Sequence, residues 1–467
     1  MDCRLLDITT QELLEKFGAG NHKPGSGSAA AFQGMIAAKL LVTVISLTND
    51  EKRRRNYSKS LPRLLEIGEE IQNRIFPELT RLFEVDSVQF DKTIKLRKER
   101  DAEDDIYRNN LLALQALEEL KINIETPLEI AQLNIELANM ADFVFDHGFQ
   151  SARGDSHVAL SGAISGLAGC LSIIQLNLTL FGCDEHEWSK NIIEKTDGLK
   201  KVYQKLHIIS DGKIEVLENE VSANAKLHSE VNELFAEIRS KNKISTPDIE
   251  LYTSKFQKLI WRHRSTIWKK NTPKEYIDIL KPSKVFEKVL GYQCHENIKF
   301  NKNDEIAGII DQPKKLVLIS NEYPVPIQNF TIAHELGHAL LHEQSVLHRD
   351  KPVDGSKVEV RRNIEEFQAD KFAALFLMPG ELVRRVFKET FGVEQFILNE
   401  DSTFFLTKGR MTMSQFRKEC RDVSGLALKL ASADNYFSAP ITPIAEKFGV
   451  SVGAMAIRLE ELQLLKF

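Results

Sequence analysis

Apolar residues recur at helical spacing through the first half of the chain, in LPRLLEIGEEIQNRIFPELTRLF (61–83) and again in NNLLALQALEELKIN (109–123). That period puts one apolar face on each helix. No alternating run interrupts residues 1 to about 240, so this half is predicted to be all helical. From about Asp184 to Lys243 the text turns polar but keeps apolar residues at helical spacing, as in IEVLENEVSANAKLHSEVNELFAEI. A projecting helix or helical hairpin is predicted there, paired with a second copy as a coiled coil or packed as a connector on a neighbour. SKNKISTPD, rich in turn and capping residues, sets a boundary near residue 245. Helical text then runs to about Leu290 and gives way to the strand-like runs ENIKF, EIAGII and KLVLIS, followed by a helix around HELGH. After Pro379 the pattern is helical again, with FFLT as a strand-like break, and ITPIAEKFGVSVGAMAIRLEELQLL closes with a helix, a tight turn and a helix.

A chain of 467 residues is too long for one core. The predicted architecture is multidomain: an all-α domain at 1–215, a helical linker at 216–245, an α+β domain at 246–392, and a helical segment at 393–467 that completes it. Hydrophobic residues make up 42% and charged residues 28%, which indicates a globular protein. A net charge of -5 provides no global basic field, and RLEELQLLKF at the end mixes charge signs, so a nucleic-acid partner is not expected. The five cysteines are scattered at 3, 170, 183, 294 and 420 without a CxxC pair, which reads as free thiols in a reducing cytoplasm. MDCRLLDITTQELLEKF carries acids and an amphipathic pattern, unlike a secretory signal.

The stretch Val158–Cys183 has no charged residue and is long enough to span a bilayer. It contains Ser161, Ser165, Ser172, Gln175, Asn177 and Thr179, is followed by the acidic DEHE, and lacks flanking Lys or Arg. Polar atoms of that kind cost several kcal/mol in lipid. A buried helix whose Gly162, Ala163, Ser165, Gly166, Ala168 and Gly169 admit a close neighbour is therefore expected, with no membrane partner.

Candidate chemistry concentrates in FTIAHELGHALLHE. His334 and His338 lie one helical turn apart and face the same way, so both rings can reach one ion at about 2.0–2.1 Å. Glu335 stands beside that face, placed to take a proton from an activated water and pass it to the leaving amine. A catalytic zinc needs a third protein ligand with one position left open. NIEEFQADKFAALFLMP supplies Glu366, with Asp370 one turn later to accept a hydrogen bond from a liganding histidine. Glu365 competes with Glu366 on sequence alone, and only the spacing to Asp370 favours the latter. The spacing HExxHxxGxxH fails, because Leu341 and Gln344 occupy its Gly and His positions. His342 continues the stripe a further turn away and is expected to support the site or lie at the surface.

These blocks resemble the ImmA/IrrE-type metallopeptidases, in FTIAHELGHALLH, in ExxADxFAALFLMP and in the closing FGVS-x4-AIRL, over roughly residues 250–467. The resemblance implies a zincin-like fold, Zn2+ as cofactor with Glu366 as third ligand, and a regulatory protein such as a repressor or antitoxin as substrate, in phage or mobile-element control or defence. In the first half, NHKPGSGSAAAFQGM, Asp86 followed by Phe90, Pro127 after a long helix, and Asp155 leading into the helix that ends at Asn177 resemble the cyclodeaminase/cyclohydrolase family over about residues 5–215. That family is all helical, dimer-forming and acts on folate one-carbon units. Free backbone N–H groups at the Gly/Ser turn could hold an anion or a carboxylate, so Gly25, Ser26, Gly27 and Ser28 are candidate ligand-site residues together with Asp86 and Asp155, which read either as acid/base or ligand-orienting groups or equally as capping and packing residues. The chain has PGSGS where the family usually has PGGGS, and Ser26 adds bulk there. The expected function is a zinc-dependent, cytoplasmic endopeptidase whose first domain dimerises it or senses a small molecule. The alternatives are a folate cyclodeaminase or cyclohydrolase with an ancillary peptidase unit, and a metal-stabilised DNA-binding regulator.

Overall fold

The computed structural model describes residues 4–20, 23–179, 187–299, 306–342, 348–350 and 363–467. The chain divides into two compact units, Met1–Glu218 and Asn219–Phe467.

The first unit is built from α1 (Thr10–Gly18), α2 (Ser26–Thr48), α3 (Leu61–Glu70), α4 (Phe76–Asp101), α5 (Ile106–His147) and α6 (Arg153–Leu178), and α7 (Glu187–Arg239) begins in it. Thr9 and Glu12 close a capping box at the start of α1, satisfying two backbone donors that a helix start otherwise leaves bare. Leu41, Val44, Leu79, Phe83, Leu137, Leu160 and Leu167 make up its core where α2, α4, α5 and α6 pack together. Small residues set how closely they approach. A Cβ at Gly34 would stand 2.6 Å from Asn134 Oδ1, and one at Gly166 would stand 2.7 Å from Asn134 Nδ2. Asn134 is fully buried in that wedge and donates to the Ile130 carbonyl at 3.1 Å.

Two stretches, Ser26–Thr48 and Gln150–Leu178, are long and apolar enough to cross a membrane by length and composition, and 50% and 44% of their most apolar windows are buried. Both α2 and α6 pack against α5. The uncharged run beginning at Val158 thus starts inside α6, while Cys183 lies outside the described residues. Cys170, Cys294 and Cys420 are free thiols, and Cys3 also lies outside the described residues.

The second unit opens on the end of α7, whose Leu227, Val231, Leu234 and Ile238 belong to its core. The stretch expected as a linker at 216–245 is therefore largely a packed element, because its apolar stripe has a core to cover. The turn near residue 245 lies inside this unit, where Ser245 and Asp248 cap α8 (Thr246–Arg262). Short helices α9 (Arg264–Trp268) and α10 (Pro282–Val285) precede a four-stranded sheet of β1 (Gln293–Ile298), β2 (Gly308–Asp311), β3 (Leu316–Ser320) and β4 (His348–Asp350). Its order is β1-β3-β2-β4, with β1 parallel to β3 and β2 antiparallel to both neighbours. Strand β1 begins earlier than the ENIKF run suggests, since Gln293 pairs with Leu316 and takes the Lys315 carbonyl.

Helix α11 (Val325–Leu341) packs on β2 and β3, and α12 (Ile364–Leu377) packs on α11 and α8. There follow α13 (Gly380–Phe391), α14 (Glu400–Thr407), α15 (Met413–Cys420), α16 (Val423–Ala431), α17 (Ile444–Lys447) and α18 (Val452–Glu461). FFLT, expected as a strand, is the body of α14. Asn399 and Ser402 form a capping box ahead of it, and Lys408 and Gly409 end it with positive φ, so local capping overrides the strand preference of two adjacent phenylalanines. The last residues return to the core: Leu465 pairs with Phe396, and Arg458 Nε donates to the Met378 carbonyl at 3.0 Å. In the closing helix-turn-helix, Ala454, Met455, Ala456, Arg458 and Leu459 of α18 are buried.

Candidate functional site

Helix α11 carries HELGH with its three polar residues inside the unit: His334, Glu335 and His338 are each no more than 1% exposed. Burying three such polar groups is costly unless something satisfies them. His334 Nε2 and His338 Nε2 lie 3.0 Å apart. Glu366, from the first turn of α12, brings Oε2 to 3.4 Å from His334 Nε2 and Oε1 to 3.4 Å from His338 Nε2. The ligand atoms of His334, His338 and Glu366 all fall within 4.8 Å of one another. A tetrahedral ion about 2.0–2.1 Å from two nitrogens holds them about 3.3 Å apart, so this spacing suits a zinc ion, and two imidazoles with one carboxylate suit its donor preference. Of the two acidic residues that the sequence left in competition, Glu365 is exposed and Glu366 reaches the histidines.

Asp370 Oδ1 accepts from His334 Nδ1 at 2.7 Å. That bond puts the ring proton on Nδ1 and leaves the Nε2 lone pair facing the cluster. His342 does not continue the helix; it is the C-cap of α11 with extended backbone, φ -125° and ψ 146°. Its ring folds back so that Nδ1 lies 3.1 Å from His338 Nδ1 and Nε2 lies 2.8 Å from Gln368 Oε1. Gln312 Nε2 reaches the carbonyls of both His338 and His342, at 3.2 and 3.3 Å, and so covers the end of α11. Burial, and then the neighbouring His338, holds His342 below the usual imidazole pKa, against the Gln368 bond.

Two glycines permit the arrangement. A Cβ at Gly337 would sit 3.0 Å from Ala369 Cα, so the glycine in HELGH lets α12 approach α11 a few tenths of an ångström closer than a methyl would, and leaves no room for a larger side chain. A Cβ at Gly308 of β2 would stand 2.8 Å from Glu335 Oε1, so the strand runs directly beside the carboxylate. Neither glycine, nor Gln368 or Gln312, stood out in the sequence. The signal that could have drawn attention to them is the presence of small and amide residues among otherwise apolar positions.

In the first unit, the Gly/Ser turn and Asp86 come together. Gly25 is the N-cap of α2, Ser26 is exposed, and Gly27 and Ser28 are buried. Asp86 Oδ2 accepts from the Ser28 N–H at 2.6 Å and from Ser28 Oγ at 2.9 Å. Any Cβ at Gly27 would overlap the Asp86 carboxylate. The carboxyl group that accepts at this helix start is thus the protein's own, from α4. Asp155 is exposed in the first turn of α6, and the side chain of Phe90 lies outside the described residues.

Burial raises the Asp86 pKa above 3.8, against the lowering by the two Ser28 bonds. A raised folded-state value means that the folded chain holds this proton more tightly, so the Asp86 contribution to stability is present below pH 3.8 and is lost as pH rises through the higher value. Asp86→Asn should flatten that part of the profile while keeping the acceptor for Ser28. Melting temperatures of the two proteins measured across acidic to neutral pH should then differ least at the acid end, and parallel profiles would contradict the assignment.

Residues 9–197 match the family described as formiminotransferase-cyclodeaminase, and residues 297–396 match the IrrE N-terminal-like domain, a metallopeptidase family. The chain joins a cyclodeaminase-like domain to an IrrE-like domain. It is 25% identical over 194 residues to the methenyltetrahydrofolate cyclohydrolase of Methylorubrum extorquens, covering 41% of this chain and 88% of that protein. The crystal structure of formiminotetrahydrofolate cyclodeaminase from Thermotoga maritima aligns at 16% identity with a TM-score of 0.39, covering 46% of this chain and 98% of that one. The IrrE-like span takes in α11 and α12, and hence His334, Glu335, His338, His342, Glu366, Gln368 and Asp370. Residues 397–467 lie beyond that span but share its core through Leu459, Leu464 and Leu465. The cyclodeaminase-like span contains Gly25–Ser28, Asp86 and Asp155.

Proposed function

We propose that the IrrE-like domain is a zinc-dependent endopeptidase that cleaves a regulatory protein, such as a repressor or antitoxin, in the cytoplasm. The observation that carries this reading is the convergence of His334, His338 and Glu366 within 4.8 Å, next to a buried Glu335. Zinc bound by those three side chains would supply Lewis acidity toward water and the scissile carbonyl. The chain's own residues do the rest. Asp370 fixes the His334 ring through its 2.7 Å bond. Glu335, on α11 beside Gly308 of β2, accepts the proton of the attacking water and returns it to the leaving amine.

The cyclodeaminase-like domain would dimerise the chain and bind a small ligand that sets peptidase activity. A folate reaction in that domain is the second reading, favoured by the likeness to a methenyltetrahydrofolate cyclohydrolase; turnover of a formimino or methenyl folate by purified protein would establish it. DNA binding is disfavoured by the burial of α18 residues in the core of the second unit.

The deciding experiment incubates the purified full chain, metal-loaded or chelated, with proteins encoded beside it and reads fragments by mass spectrometry. Fragments that require metal identify both the activity and the target. A chain that takes up no zinc, or that cuts nothing in either state, would remove the basis of the reading.

A further inference from the structure

We propose that His342 and Gln368 are positioning residues, forming a hydrogen-bond relay that fixes which nitrogen of His338 faces the metal. The inference rests on the metallopeptidase reading for its purpose, but the relay itself is a property of the metal-free chain.

The relay is decided from its far end. Gln368 Nε2 donates to the carbonyl of Ile244 at 2.7 Å. A backbone carbonyl only accepts, so the amide atom facing it has to be the NH2, and the atom facing His342 has to be the oxygen. Gln368 Oε1, 2.8 Å from His342 Nε2, in turn only accepts, so that nitrogen carries a proton, and the relay takes the ring as the neutral imidazole with that single proton. His342 Nδ1 is then a lone pair. It lies 3.1 Å from His338 Nδ1, which therefore carries the His338 proton and donates it. What remains on His338 is an Nε2 lone pair pointing at His334 and Glu366.

The two liganding histidines are thus set by different means: His334 by one carboxylate, Asp370, and His338 by an uncharged chain running through His342 and Gln368 to a fixed backbone carbonyl. The geometry depends on His342 leaving the helix. Had it stayed helical, its ring would have lain one turn further on. The extended C-cap conformation and the Gln312 bonds to the His338 and His342 carbonyls keep it where it is.

Two substitutions separate a relay from plain packing. Gln368→Leu removes the acceptor for His342. Gln368→Glu keeps an acceptor for His342 but gives up the donor to Ile244. In metal-free, full-length protein with 15N-labelled histidine, long-range 15N spectra should show His338 as the Nδ1–H form in the wild type and in Gln368→Glu, and as a mixture of tautomers in Gln368→Leu. Zinc affinity, measured by competition with a chelator, should fall by about 10- to 100-fold in Gln368→Leu and stay within about threefold of wild type in Gln368→Glu, the range for loss or retention of a hydrogen-bond partner behind a liganding histidine. Weakened zinc binding in both variants with an unchanged His338 tautomer would mean that Gln368 is only a packing anchor, and unaltered affinity in Gln368→Leu would also overturn the relay. If the wild type itself bound no zinc, the peptidase reading would fail, and the relay would still stand or fall on the His338 spectrum.

Discussion

Glu335→Gln should leave the metal content of the protein unchanged and reduce peptide-bond cleavage by about 10^2- to 10^4-fold, the contribution of a positioned general acid–base. The substitution keeps the shape of a side chain that is fully buried, so the fold has little to adjust to. It removes the negative charge and the basic oxygen while sparing all three clustered donors, His334, His338 and Glu366. Metal analysis of both proteins, alongside fragment yields from the same substrate mixture, separates the roles. Cleavage that persists at the wild-type rate with metal bound would exclude Glu335 as the proton carrier. Loss of metal together with activity would instead mean that Glu335 supports the ligands.

The parts of this site that could be read from the sequence are those set by spacing within one element. His334 and His338 share a face because four residues make about one turn, and Asp370 follows Glu366 by the same rule. What could not be read depends on where elements end and what they meet. His342 looks like the next residue of the stripe, but α11 stops at Leu341 and the ring turns inward. Gln368 matters through Ile244, 124 residues away, a separation over which periodicity carries no information. The Gly/Ser turn and Asp86 were both visible as candidates, yet that one caps the other across 58 residues depends on how α2 and α4 pack. The fold shows the same division. The helical first half, the three strands and the helix around HELGH follow from pattern, whereas α14 is obscured because the strand preference of its aromatic pair masks the capping box of Asn399 and Ser402 that precedes it.

Gly337→Val should lower both stability and metal affinity, and the two losses should travel together. The Cβ built at this position meets backbone, Ala369 Cα at 3.0 Å and the Ala369 carbonyl oxygen at 3.2 Å, with Phe372 Cδ1 at 3.1 Å. Backbone atoms in mid-helix cannot rotate aside as a flexible side chain would, so α12 has to move as a body. Overpacking of this kind costs about 1–3 kcal/mol. The helix that moves carries Glu366 and Asp370, so the third ligand and the hydrogen-bond acceptor for His334 retreat together. Gly337→Ala is the control. Its single methyl needs the neighbour to give by only a few tenths of an ångström, and replacing a mid-helix glycine returns about 0.5–1 kcal/mol of backbone entropy, so its net stability change should be small. Thermal melts of the metal-free proteins report the packing cost, and chelator competition reports the ligand loss. A Val variant that melts lower but binds zinc as tightly as wild type would show that Glu366 is held in place by something other than the close approach of α12 to α11.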